Sequence, residues 1–391
     1  MLSNKQINML ECLFLLIPIF RPIILEYFTS SIHFFSLYTY FALAYLLIHI
    51  LTSKKYKYTL KNCGITLYAI AILFSSVINS GNYNEEFDFL INSFLCVSIC
   101  IIYSDKFDIL IRSLMIVSEI CVYSNLISIV IFPNGLYTRS VSGYSSTTEW
   151  ILGVTNYFIQ WMIPSIIIAW IYCYFEKRWL RTLLLSSAIV ITEILKGSGT
   201  CVTGIVLFLG LMLIPFADLI FTPIRSVVIA TTMLIIILFF RTIDFFKPLI
   251  LLLGKDMTFS NRTFIWDNAL DSITGAPILG HGLLDNDSMV SYLGSMPSGI
   301  RWEGATHCHN QFLQIIFQGG FVAFLLFLCV IVMIIRKARL NWPAGSSKIA
   351  VYAVATYIII GITEVFSYPL MTFIFPLLYL YLCVEEKEII K

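Results

Sequence analysis

Charge is scarce in this chain. Only 12% of its 391 residues are Asp, Glu, Lys or Arg, where a soluble domain carries about 25%. With 59% hydrophobic residues and a mean hydropathy of +0.87, an ordinary soluble globule is excluded and lipid must solvate much of the surface. The net charge of +2 is too small for an electrostatic nucleic-acid surface. Cysteine pairs are also missing. The ten Cys show no CxxC and no finger spacing, and Cys96, Cys100 and Cys329 lie in apolar runs, where a thiol acts as a small hydrophobe. Structural disulfides are therefore not expected. There is no internal repeat at a fixed period and no low-complexity linker. The first apolar segment is not followed by a small-residue cleavage site, so it is expected to remain as a span.

What the chain has is apolar runs. A membrane span takes roughly 20 mainly apolar residues, and about twelve windows qualify. The first six fall near Asn8–Phe28, His33–Leu51, Cys63–Asn79, Phe89–Tyr103, Ile109–Phe132 and Trp150–Phe175. The others fall near Thr182–Leu195, Val202–Phe221, Val227–Phe240, Gln311–Ile335, Ala350–Phe366 and Leu370–Val384. None shows the alternation of a barrel strand. The expected fold class is all-α: one integral membrane domain over residues 1–391, polytopic, with a large loop at 241–310. Lys/Arg clusters at 54–61, 106–112, 177–181, 225 and 336–339 share one side if the spans alternate. The positive-inside bias makes that side cytoplasmic, with both termini inside. The acidic stretch Gly81–Glu86, the segment Asn134–Glu149, Lys196–Cys201 and the long loop then face outward. Long loops translocate largely regardless of charge, so Arg241, Lys247, Lys255, Arg262 and Arg301 do not contradict this.

The interval Asn261–Gly320 is the longest polar stretch. Within it Ile265, Trp266, Ala269, Leu270 and Ile273 make one apolar stripe at helical spacing. Ser260 suits an N-cap, and Gly275 and Pro277 end the helix. Such a helix fits along a bilayer surface. Arg262 stands at its start, where a guanidinium fork and free helix amides both favour phosphate; an interfacial anchor is the plainer role. Arg139, Arg301 and Lys196 are further cations on the same side. His309 stands just before an apolar helix, where a neutral imidazole can accept a proton; a hydrogen-bonded ring at a helix start is the alternative. His307 and His281 raise a zinc alternative, but no carboxylate or Cys spacing completes a motif. Asp267, Asp271, Asp285, Asp287 and Glu303 read mainly as solvated faces. Glu364 lies inside the eleventh window and Arg21 inside the first, where ionisable groups usually face a cavity or a partner. Gly319 and Gly320 permit close helix approach.

With these residues in view, the chain resembles the O-antigen ligase and Wzy-type polysaccharide polymerase superfamily. NRTFIWDNALDSITGAPILGHG is similar to the family's Gly-Arg-Thr–Trp helix and following turn. HNQFLQIIFQGG is similar to its His-Asn–Leu–Gly entry into a span, and GITEVFSYP to its Gly–Thr-Glu step. SGTCVTGIVLF takes the place of a Ser-Arg-Thr helix start. Asn261 replaces the usual Gly before Arg262. Gly199 stands where a second Arg often does, so that Lys196 or Arg139 would supply that charge. Phe-Val-Ala after Gly320 departs from the ligase pattern, which tilts the reading to polymerase.

The resemblance implies a GT-C-like, metal-independent glycosyltransferase without cofactors. Its donor would be a glycan on undecaprenyl diphosphate at the periplasmic face of the bacterial cytoplasmic membrane. It implies His309 as general base and Arg262, Arg139, Arg301 and Lys196 as diphosphate ligands. Asn310, Trp266, Trp302 and Glu364 would bind or support the saccharide. Membrane lipid, a chain-length regulator and a flippase are the implied partners. The competing roles are an O-antigen ligase acting on lipid A-core and a lipid-linked oligosaccharide transporter. Against transport stand the missing two-half symmetry and the concentration of polar residues in one loop.

Overall fold

The structure is a computed structural model that describes residues 4–27, 29–53, 55–56, 58–59, 63–81, 83–141, 145–240 and 262–390. Ser260, Asn261, Lys54, Lys57, Lys61, Arg241, Lys247 and Lys255 lie outside the described residues. Helices dominate, as runs this apolar require when backbone groups must be satisfied internally. In chain order they are α1 (Asn4–Leu16), α2 (Thr29–Thr52), α3 (Gly64–Ile78), α4 (Tyr83–Ile102), α5 (Phe107–Ile131) and α6 (Ile159–Glu176). There follow α7 (Trp179–Lys196), α8 (Gly199–Leu213), α9 (Ala217–Ile220), α10 (Pro223–Ile235), α11 (Arg262–Gly275) and α12 (Asn286–Leu293). The last three are α13 (Gln311–Leu340), α14 (Gly345–Ile360) and α15 (Pro369–Ile390).

Among the described residues, six helices are long and apolar enough to cross a membrane, and four further apolar helices are shorter. The chain is a polytopic all-α membrane protein, and the count of twelve spans is not reached by this measure. The shortfall has local causes. The first window breaks after Leu16 into a turn and a short 3-10 helix, Ile23–Tyr27, because Pro18 and Pro22 cannot continue a helix. The eleventh window ends at Ile360, leaving residues 361–368 without helical structure. Large apolar side chains such as Phe41, Leu51, Leu180 and Ile194 are exposed on the helices, as lipid contact demands. One element departs from the helical reading. Tyr137–Val141 and Ser145–Glu149 form an antiparallel hairpin with Arg139 opposite Thr147; its β-branched and hydroxyl residues suit strand pairing.

Two cores form. The larger is built by the long helices around Ile163, Phe208, Tyr352 and Phe373. The smaller gathers Phe264, Ile265, Trp266, Ala269 and Ile273 of α11 with Met289, Leu293, Cys308, Leu313 and Phe317. The apolar stripe of α11 thus faces protein, where periodicity alone lays it along a bilayer.

The two cores are fastened together at a kink in α13. Gly320 adopts φ 61° and ψ −167° inside that helix, which frees backbone groups on either side. The segment Pro277–Gly282 takes them up. Phe321 N donates to Pro277 O at 2.9 Å and Val322 N to Ile278 O at 3.2 Å. His281 N donates to Phe317 O at 2.7 Å and Gly282 N to Gln318 O at 2.8 Å. The same segment meets α3, where Asn79 Nδ2 donates to Gly280 O at 3.1 Å and Leu283 N to Ser76 Oγ at 2.8 Å. Close helix packing therefore does not account for Gly320; a docked loop does.

Candidate active site

The site forms where helix ends meet. Asn310 caps α13, its Oδ1 accepting from Phe312 N and Leu313 N, each at 3.0 Å. Such a cap satisfies amides that lack intrahelical partners. Its Nδ2 donates to Ile362 O at 3.0 Å, and Gln311 N donates to Gly361 O at 2.7 Å. These bonds pin the start of α13 to the break at 361–368. Backbone groups in a buried break need partners, and glutamines supply them. Gln311 Oε1 accepts from Phe366 N at 2.7 Å. Gln160, at the start of α6, accepts from Ser367 N at 2.9 Å and Tyr368 N at 2.8 Å.

Arg262 opens α11 and reaches into the same break. Its Nη1 donates to Thr363 O at 2.5 Å and its Nη2 to Glu364 Oε1 at 3.0 Å. The side chains are only 16% and 11% exposed, so this is a largely desolvated pair. Two residues far apart in sequence are brought together, and Glu364 sits at the helix break instead of within a span.

His309 immediately precedes the cap, with φ at 47°. Non-glycine residues seldom adopt this left-handed conformation, and strain of this kind collects at functional sites. Its ring centroid lies 3.9 Å from that of His307, and it stacks on Trp302 at 6.3 Å. Among the described residues neither ring nitrogen of His309 has a hydrogen-bond partner, although both are buried. Buried polar atoms are nearly always bonded, so this exception calls for an explanation. Burial pushes His309 down to about 2, with His307 and the Arg262 guanidinium adding to the shift. Burial, then Arg262, pushes His307 down to about 4. A desolvated ring beside positive charge resists protonation. The imidazole is held neutral, with lone-pair capacity unused.

His307 and His309 line a cavity of 710 Å³ together with Glu364, Gln160, Gln311 and Gln314. Tyr157, Asn156, Gln318 and Tyr368 extend its polar wall, while Ile19, Tyr68, Ile72, Leu284 and Met289 supply apolar surface. The Arg21–Glu26 pair, at 2.9 Å, also faces it, as does Asp88, which accepts from Tyr40 Oη at 3.0 Å. A cavity lined both by apolar side chains and by amide and hydroxyl groups can take an amphiphile.

The remaining candidates fall elsewhere. Arg139 lies in the hairpin with its Nε 3.5 Å from Glu149 Oε1. It is not among the residues that line the cavity, though it is within electrostatic reach of Tyr157 and Tyr368, which are. Lys196 packs its ammonium over the Trp150 ring at 5.4 Å. Arg301 is exposed, and its backbone forms an isolated β-bridge with Ser295. Trp266 is buried in the smaller core, which makes it a packing residue. Both ends of the Asn310 amide are engaged by backbone, so its role here is to hold the helix start. His281 bonds Ser272 O at 2.8 Å and packs between Tyr292 and Phe317; it is not gathered with His307 and His309.

Residues 158–328 match the O-antigen ligase family. The superfamily likeness read from the motifs is thus found independently, over a stretch that includes Gln160, Lys196, Arg262 and His309. Two curated relatives, from Rickettsia felis and Rickettsia conorii, bear the name "Putative polysaccharide ligase". Each is 31% identical over 111 residues, covering 26% of this chain and 26% of the relative. The chain therefore matches about a quarter of the length of these relatives. No solved structure gives a significant match.

Sequence reasoning missed the glutamines. Gln311, Gln314 and Gln318 recur at i, i+3 and i+7, which puts them on one face of α13. That stripe, on an otherwise apolar helix, was the available signal. Gln160 at the head of an apolar run carried the same signal.

Proposed function

We propose that this protein transfers a glycan from undecaprenyl diphosphate to the hydroxyl of an acceptor sugar at the periplasmic face of the cytoplasmic membrane. In the preferred form of this reading it is a repeat-unit polymerase, the acceptor being another lipid-linked repeat unit. The observation that carries the proposal is the His309 imidazole, neutral, unpartnered and facing a polar cavity beside the Arg262–Glu364 pair. The acceptor hydroxyl attacks the anomeric carbon, a new C–O bond forms, and the bond from that carbon to the diphosphate oxygen breaks. The hydroxyl proton passes to a His309 ring nitrogen, and the diphosphate leaves on its lipid. A base this hard to protonate gains strength once an anionic diphosphate lies near it, because nearby negative charge favours the imidazolium. Arg262 faces the same anion, and preplaced guanidinium donors stabilise charge that develops on a leaving group. Arg139 and Arg21 are further candidates for that role. Attack opposite the leaving group inverts the anomeric centre.

The experiment is reconstitution with lipid-diphosphate repeat units. Product ladders are expected from the wild-type chain and none from His309→Ala or Arg262→Ala protein that still inserts in the membrane. Full-length polymer from His309→Ala would overturn the proposal. A reporter fused at Ser295 is expected to read periplasmic; a cytoplasmic signal would end the topology. A second reading, compatible with the relatives' name, is a ligase that moves finished polymer to lipid A-core. Deletion separates the two: loss of a polymerase leaves single capped repeats, whereas loss of a ligase leaves long polymer on the lipid carrier.

A further inference from the structure

Gln160, Gln311 and Gln314 are only 3%, 5% and 5% exposed, and all three line the cavity that holds His309. Each has its carbonyl oxygen fixed by backbone. Gln160 Oε1 accepts from Ser367 N and Tyr368 N, Gln311 Oε1 from Phe366 N, and Gln314 Oε1 from Cys308 N at 2.8 Å. Every partner is an N–H donor, so the oxygen and nitrogen of each amide are assigned without ambiguity. The NH₂ end of each side chain therefore has a fixed direction. Those three nitrogens are not among the buried polar atoms lacking partners, and among the described residues no hydrogen bond from them is formed, so they retain access to open space, and their residues line the cavity.

We infer that these three glutamines form a donor array that binds hydrogen-bond-accepting oxygens of the saccharide next to His309. The inference rests on the transferase reading above and names a subsite of it. Its chemistry is distinctive. The array offers up to six N–H donors, with each carbonyl oxygen already turned to a backbone N–H, and it carries no net charge. Neutral amides match hydroxyl, ring or acetamido oxygens of a sugar. A diphosphate carries the same acceptor chemistry, but it is better met by guanidinium groups. Anchoring through the carbonyl also prevents the amides from flipping to present an acceptor, so the array discriminates by direction as well as by position.

Replacement by glutamate tests this directly. Gln160→Glu, Gln311→Glu or Gln314→Glu keeps an oxygen for the backbone N–H and removes the NH₂ donors. Two probes are used with purified protein in nanodiscs: lipid-linked glycan extracted from a strain deleted for this gene, and undecaprenyl diphosphate alone. Each Glu variant is expected to melt below wild type, because it puts a carboxylate where the amide is nearly buried, and to lose at least tenfold in affinity for the glycan probe. The loss for undecaprenyl diphosphate, which feels only the added charge, should be at least threefold smaller. Unchanged glycan affinity would overturn the subsite, as would equal losses for both probes, which would place the amides on the diphosphate. Should a Glu variant not fold, wild-type protein labelled with ¹⁵N at glutamine side chains provides the second measurement. Its amide signals should shift with the glycan probe and not with undecaprenyl diphosphate, and silence with the glycan overturns the subsite. Wild-type protein that binds no glycan at all defeats the transferase reading itself, whereas glycan binding indifferent to the Glu variants defeats only the array.

Discussion

Replacing Gly320 by Ala should undo the docking of the Pro277–Gly282 segment on α13. At φ 61° and ψ −167° the backbone occupies a region essentially confined to glycine, costing another residue about 1–3 kcal/mol. An added Cβ would lie 2.1 Å from Ile278 O and 2.5 Å from Leu279 N. Both are backbone atoms, so no side-chain rotation can relieve the clash and the segment must move. The two hydrogen bonds closest to the kink, to Pro277 O and Ile278 O, then fail, each worth about 0.5–1.5 kcal/mol net. The sum is about 2–6 kcal/mol. For a chain of this size that is a fall in Tm on the order of 2–7 °C. Purified protein in detergent gives the Tm, and hydrogen exchange over residues 276–284 reports the docking. Gly275→Ala is the control, because a Cβ there meets nothing within 4 Å. Since Leu284 and Met289 of the cavity wall follow the docked segment, transfer should fall as well. An unchanged Tm for Gly320→Ala, with the 276–284 amides protected as in wild type, would refute the clamp.

The Arg262–Glu364 pair should behave as a coupled unit. Arg262→Ala leaves a largely buried carboxylate without its guanidinium, at a cost of about 3–5 kcal/mol, and adding Glu364→Gln should return part of that in a thermal double-mutant cycle. Strict additivity would deny the pair. For the histidines, the folded values of about 4 and about 2 lie below the ordinary 6.5, so below that pH the unfolded chain binds more protons. Stability is then full above pH 6.5 and falls as pH drops through the window down to the folded values. At pH 5 the two rings together account for about 4 kcal/mol of loss. A Tm measured from pH 7 to pH 5 should fall in wild type and flatten in a His307→Ala/His309→Ala variant; parallel curves would contradict the burial argument. For the same reason, kcat/KM should show no acid limb near pH 6.5 from free His309, which a pH–rate profile tests.

Much of the fold could be read because a bilayer leaves few choices: an apolar run of sufficient length must be helical. The errors came where that rule is suspended by protein. Pro18 and Pro22 split the first run, and residues 361–368 stay out of a helix because Gln160, Gln311 and Asn310 satisfy backbone groups there. Thr363 O is met by Arg262 in the same way. No hydropathy window registers partners supplied from 50 or 200 residues away. The same limit governs the site. Arg262, Glu364 and His309 were visible singly, because charge or imidazole in a greasy chain stands out. Their meeting was not, since it depends on a helix break that sequence periodicity runs straight through. Lys196 shows the converse: a cation near the expected surface is visible in sequence, but its direction is decided by a local partner, Trp150. The glutamines fell between these cases. An uncharged amide on a helix is unremarkable until its oxygen is known to be held, and only then does its nitrogen become a donor with an address. The break at 361–368 is thus what turns scattered polar residues into one site, by fixing the guanidinium and two of the three amides from a single stretch of backbone.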